Sequence, residues 1–76
     1  MAVKAELVPE GVTVEVEVEA RGGGVRVRDL VNALRRMGRL AGDVVVVFEG
    51  RPLPEDAVIP DGSTVTVLRV LSGGDT

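Results

Sequence analysis

Val12-Thr13-Val14-Glu15-Val16-Glu17-Val18-Glu19-Ala20 decides the fold. Valine occupies every second position, with threonine or glutamate between. A period of two is the period of a β-strand, and it places Val12, Val14, Val16 and Val18 on one buried face with the polar residues in water. Upstream, Ala2 to Val8 repeats the pattern: Val3, Ala5 and Leu7 share a face and Lys4 and Glu6 share the other. Pro9-Glu10-Gly11 between them has turn chemistry, a fixed φ followed by a residue free to take positive φ. The two strands are therefore expected to form a hairpin.

Downstream, Arg21-Gly22-Gly23-Gly24 interrupts the alternation and a helical period begins. Leu30, Val31, Leu34 and Met37 fall on one face of a helix running from about Asp29 to Met37. Asp29 early and arginines late suit the helix dipole, and Gly38 is a natural stop. Val44-Val45-Val46-Val47-Phe48 is β-branched and too short for a helix between Gly42 and Gly50, so it reads as a strand. Glu49-Gly50-Arg51 is a turn, and Leu53 begins a brief return segment. Pro52, Pro54 and Pro60 limit regular structure from 52 to 60. Asp61-Gly62 signals another turn before a last strand from Thr64 to Leu71. The order is strand, strand, helix, strand, short segment, strand. One helix must cover one face of a mixed sheet, with the last strand parallel to the first and a right-handed crossover. This is an α+β class chain with a β-grasp arrangement, four to five strands packed on one helix. Residues 1–71 form the domain and 72–76 a flexible tail.

The 76 residues make one domain with a small interior. Cysteine and histidine are absent, which removes disulfides, thiolate metal sites, the usual general base, and serine-histidine or cysteine catalysis. No catalytic residue, metal site or bound cofactor is expected. The net charge is −3, from 12 acidic and 9 basic side chains, and Phe48 is the sole aromatic residue. Nucleic acid is not an expected partner, because it asks for a basic patch and stacking platforms. No apolar run approaches membrane-spanning length and the N-terminus lacks a signal-peptide design, so a cytoplasmic monomer is expected. Abundant valine, arginine in place of lysine everywhere but Lys4, and no glutamine point to a heat-loving source.

From Phe48-Glu49-Gly50-Arg51-Pro52-Leu53 through Asp61-Gly62-Ser63-Thr64-Val65 to Val70-Leu71-Ser72-Gly73-Gly74, the sequence resembles the ubiquitin-like sulfur carriers and modifiers. These are the thiamine and molybdopterin sulfur carriers, the ubiquitin-related modifiers and the archaeal small modifiers. The likeness covers nearly the whole chain in pattern and residues 48–74 most closely. It implies a substrate rather than an enzyme. An ATP-using activating enzyme would adenylate the carboxylate of Gly74, and a sulfur nucleophile would then give a thiocarboxylate or a thioester. The partners implied are that activating enzyme and either a sulfur-accepting enzyme or target proteins modified on lysine. Gly73 and Gly74 suit a narrow channel, since neither has a Cβ to meet its walls. The family's active form ends at the second glycine, whereas Asp75 and Thr76 follow here. The resemblance therefore implies a protease that cuts between Gly74 and Asp75.

In the last strand Val65 and Val67 should face the helix, which leaves Leu68 and Val70 on the open sheet face. With Arg69, Leu71 and Arg51 they are the candidate contacts for the activating enzyme, against the alternative of ordinary sheet surface. Lys4 is the candidate acceptor if copies are joined, or a lone surface charge. Gly22-Gly23-Gly24 lacks the lysine-serine/threonine ending of a phosphate loop and reads as a flexible connector. Glu15, Glu17 and Glu19, and Arg35, Arg36 and Arg39, read as solvated faces. A non-covalent β-grasp interaction module is the alternative function.

Overall fold

The structure is a computed structural model that describes residues 2–18 and 24–70. Strand β1 (Ala2–Val8) and strand β2 (Val12–Glu17) form the expected antiparallel hairpin, with Val3 opposite Val16 and Ala5 opposite Val14. The turn is closed by the Gly11 N–H, which donates to the Leu7 carbonyl at 2.7 Å, and Gly11 takes φ +76°. Next come β3 (Gly24–Arg26), helix α1 (Val27–Arg36), β4 (Val44–Phe48), β5 (Arg51–Leu53), β6 (Val58–Pro60) and β7 (Thr64–Arg69). The main sheet has five strands in the order β2-β1-β7-β4-β5, and β3 pairs with β6 in a separate two-stranded ribbon. Strand β7 runs parallel to β1 and antiparallel to β4, as the pattern requires. One helix over one mixed sheet is a β-grasp-like α+β fold.

The core lies between α1 and one sheet face. Val3, Ala5, Leu7, Val14, Val16, Val46, Val65 and Val67 rise from the sheet to meet Leu30 and Leu34 of the helix, and no polar side chain is buried among the described residues. The 49–50 turn explains the β4–β5 hairpin. Glu49 and Gly50 both take positive φ (53° and 79°), the geometry of a two-residue type I′ turn. The helix starts at Val27 rather than Asp29. Arg26 at the N-cap makes no side-chain cap, and instead Val27 and Arg28 N–H groups donate to the carbonyls of Ala57 and Glu55 at 2.9 and 3.0 Å. A distant loop thus satisfies donors that a local serine or aspartate usually takes. At the other end Gly38 takes φ +74°. Its N–H donates to the Arg35 carbonyl, and the Arg39 N–H donates to that of Leu34 at 2.9 Å. This is the Schellman pattern, and it stops the helix where Gly38 was expected to.

Three expectations need correction and a fourth holds in part. Val12 is not buried but 43% exposed, because it sits at the turn end of the hairpin, paired with Leu7 directly after Gly11. Met37 is 48% exposed, since it is the C-cap and has left the apolar stripe. Gly24 is not a loose connector: it is buried in β3, where an added Cβ would collide with Val58 Cγ1 and stand 2.7 Å from the Ile59 carbonyl oxygen. The prolines limit regular structure from 52 to 60 without excluding it, since the three-residue β5 and β6 both contain one. Pro52 lies in edge strand β5 and Pro60 at the end of β6, places where a missing N–H breaks no inner ladder. Residues 19–23 and the tail 71–76 fall outside the described residues, so the flexible-tail boundary and the far end of the second strand lie there too.

Replacing Gly24 by alanine is expected to lower stability by about 1–3 kcal/mol, the usual range for overpacking a filled site. Urea unfolding followed by circular dichroism measures it. A midpoint equal to that of the parent would refute the close approach of β3 and β6.

Candidate functional site at the tail root and open sheet face

Val70, the last described residue, follows the end of a central strand. Strand β7 lies between β1 and β4, and Val70 extends it by one further bond, its N–H donating to the Asp43 carbonyl at 2.9 Å. The root of the tail is thus held against the start of β4. Leu71, Gly73, Gly74 and Asp75, the acyl-transfer and cleavage candidates, lie outside the described residues.

On the sheet face away from the helix, pairing aligns side chains into rows. Leu68 is opposite Val8 on one side and Val45 on the other, which makes an apolar row across β1, β7 and β4. Leu68 is 37% exposed and Val70 43%, so the expectation that both face solvent holds. The next row is Glu6, Thr66, Val47 and Pro52, and beyond it Lys4 is aligned with Thr64 and Glu15. The open face is therefore apolar beside the tail root and charged at the far end. Val8, Val45 and Val47 are members that the sequence reading missed. The signal was present: a strand apolar at five successive positions must show apolar side chains on both faces, and the helix covers only one.

Not every expected contact joins this patch. Arg69 is at the tail root but forms an ion pair with Glu10, which ties the β1–β2 turn to the end of β7. Both side chains are more than a third exposed, so the pair contributes at most about 1 kcal/mol. Arg51 is exposed and is placed elsewhere. It pairs with Phe48 at the opposite end of β4 from Asp43, roughly 16 Å from the Val70 level at the usual strand rise. It does not belong with Leu68 and Val70, because the β4–β5 hairpin carries it to the other end of the sheet. Lys4 is exposed and likewise distant, since it is level with Thr64, where β7 begins.

The Asp61-Gly62 turn has a structural task. The Asp61 carboxylate accepts the Ala2 N–H at 3.0 Å, the Gly62 N–H donates to the Ala2 carbonyl, and the Lys4 N–H donates to the Ser63 carbonyl. Together these bonds set the parallel β1–β7 register, and so set which β7 residues face outward. Among the described residues no cluster of three acidic side chains is placed to hold a metal, and no helix is long and apolar enough to cross a membrane. Neither a protein-family model nor a curated protein matches the chain.

Leu68→Asp is expected to leave the fold intact, with a stability loss of no more than about 1 kcal/mol, because the side chain is at the surface. Chemical denaturation checks this. Global unfolding of the variant would show that Leu68 is part of the core.

Proposed function

We propose that the protein is a carrier of the ubiquitin-like kind, a substrate whose C-terminal glycine carboxylate is activated by a partner enzyme. The observation that carries this reading is the position of Gly73-Gly74 a few residues beyond β7, the central strand of a β-grasp-like sheet. The Val70–Asp43 bond anchors the strand end, and only Leu71, Ser72 and the two glycines lie between it and the proposed cut before Asp75. That design suits delivery of an acyl group into a confined active site, because rigid support fixes the approach and glycine keeps the tip thin.

The chemistry belongs to the partner. A protease hydrolyses the Gly74–Asp75 peptide bond and exposes the carboxylate. A carboxylate oxygen then attacks the α-phosphorus of ATP, pyrophosphate leaves, and an acyl-adenylate forms. A sulfur nucleophile attacks its carbonyl carbon and displaces AMP. The product is a thiocarboxylate that passes sulfur on, or a thioester that a lysine amine converts to an isopeptide bond. No step requires a histidine or cysteine on this chain, in keeping with its composition. The apolar row of Val8, Leu68 and Val45, with Val70, supplies the docking surface for the adenylating enzyme, since it lies beside the tail root and offers contiguous apolar area.

Intact mass measurement of the protein isolated from its own cells tests the reading. Loss of Asp75-Thr76 with one oxygen replaced by sulfur is expected for a sulfur carrier, and glycine-glycine remnants on lysines of other proteins for a modifier. Gly74→Ala is expected to reduce either product by at least about tenfold while leaving the unfolding midpoint unchanged. A chain that always keeps Asp75-Thr76 and leaves no remnant is a non-covalent module instead.

A further inference from the structure

A second surface lies on the opposite side of β4 from the tail root. Between α1 and the β4–β5 edge runs a groove of about 310 Å³, with Val31, Val44 and Leu53 among its apolar lining and Arg28, Arg35, Asp43 and Glu55 as its charged lining. The backbone at its floor is incompletely paired. The Val70 N–H donates to the Asp43 carbonyl, so Asp43, Val45 and Val47 direct their backbone groups toward β7. By alternation Val44, Val46 and Phe48 direct theirs toward β5. Phe48 and Val46 meet Arg51 and Leu53 there, but β5 ends at Leu53 and Pro54 follows. The N–H and C=O of Val44 therefore face the groove with no strand beside them among the described residues. On the helix wall, Arg28 is engaged with Asp56, whereas Arg35 has no hydrogen-bond or ion-pair partner among the described residues.

We propose that this groove receives an extended segment of a partner protein, which adds a short strand beside Val44 in continuation of β5. Two observations define the segment. An unpaired strand edge asks for backbone N–H and C=O in extended conformation, and an adjacent apolar groove asks for an aliphatic side chain at the position that points inward. The Arg35 guanidinium at the same end of the helix as Val44 adds an acidic side chain to the requirement. Asp43 and Glu55 also line the groove, so a segment with several acids would be repelled and a single carboxylate, placed at Arg35, is favoured. The surface is separate from the apolar row of the open face, and its use does not depend on the glycine tail.

The probe is a blocked pentapeptide, Ser-Val-Ile-Val-Glu, titrated into the full-length chain and followed by amide and arginine side-chain NMR shifts. Shifts centred on Val31, Val44, Leu53 and Arg35 are expected. Lysine in place of the peptide's glutamate should weaken binding by about tenfold, and Arg35→Glu in the protein should reverse that preference. Arg36→Glu, on another side of the helix, should leave it unchanged. A peptide N-methylated at its central residue should not bind, since it cannot complete the strand pairing. The proposal is overturned by equal binding of the N-methylated peptide, by shifts centred on Leu68, or by none at millimolar peptide. It is equally overturned if dilution alone produces the same shifts, which would make a second copy the occupant. Tighter binding after removal of residues 71–76 would identify the chain's own tail as the occupant, with the same consequence.

Discussion

Everything in this domain hangs on the parallel pairing of β1 with β7. These strands come from the two ends of the described chain, and no short turn can join them. The pairing is begun by the Asp61 carboxylate and the Gly62 and Ser63 backbone, which hold Ala2 and Lys4 in place at the start of the ladder. Once Lys4 is level with Thr64, Val65 and Val67 must enter the core beside Ala5 and Leu7, and Leu68 must look outward beside Val8. A slip of one residue would exchange the two faces of β7, burying threonines and exposing valines. The hairpins at either side then add β2 and β4–β5, and the helix closes over the apolar face.

The interior is aliphatic throughout, with no buried polar side chain among the described residues. Such a core gives stability without much directional information. Register is specified at the margins instead: by the Gly11 turn, the type I′ turn at Glu49-Gly50, the Schellman closure at Gly38, and the bonds around Asp61. The loop at 55–57 belongs to the same set, because its carbonyls begin the helix in place of a local cap.

The long regular elements were legible in the sequence because each carried its own period. Strands β1, β2, β4 and β7 and the body of α1 fall where alternation and helical spacing put them. The small ribbon of β3 and β6 was not legible. Each strand has only three residues, too few to show a period, and one begins in a glycine run while the other ends in proline. Ile59 is fully buried there, yet nothing local distinguishes it from a loop residue. The helix start was hidden for a related reason, since its cap comes from residues far along the chain. At the candidate site, the outward direction of Leu68 and Val70 followed from alternation alone. Their neighbours Val8 and Val45 did not, because cross-strand alignment is a property of register. The distance of Arg51 from the tail root was hidden for the same reason: nearness in sequence to a turn says nothing about which end of the sheet that turn occupies.

Lys4, the one side-chain amine, is level with Thr64, the first residue of β7, whereas Val70 lies just past the last. The amine and the residue that precedes the tail are therefore set at opposite ends of one strand, about 20 Å apart at the usual rise, and face different neighbours.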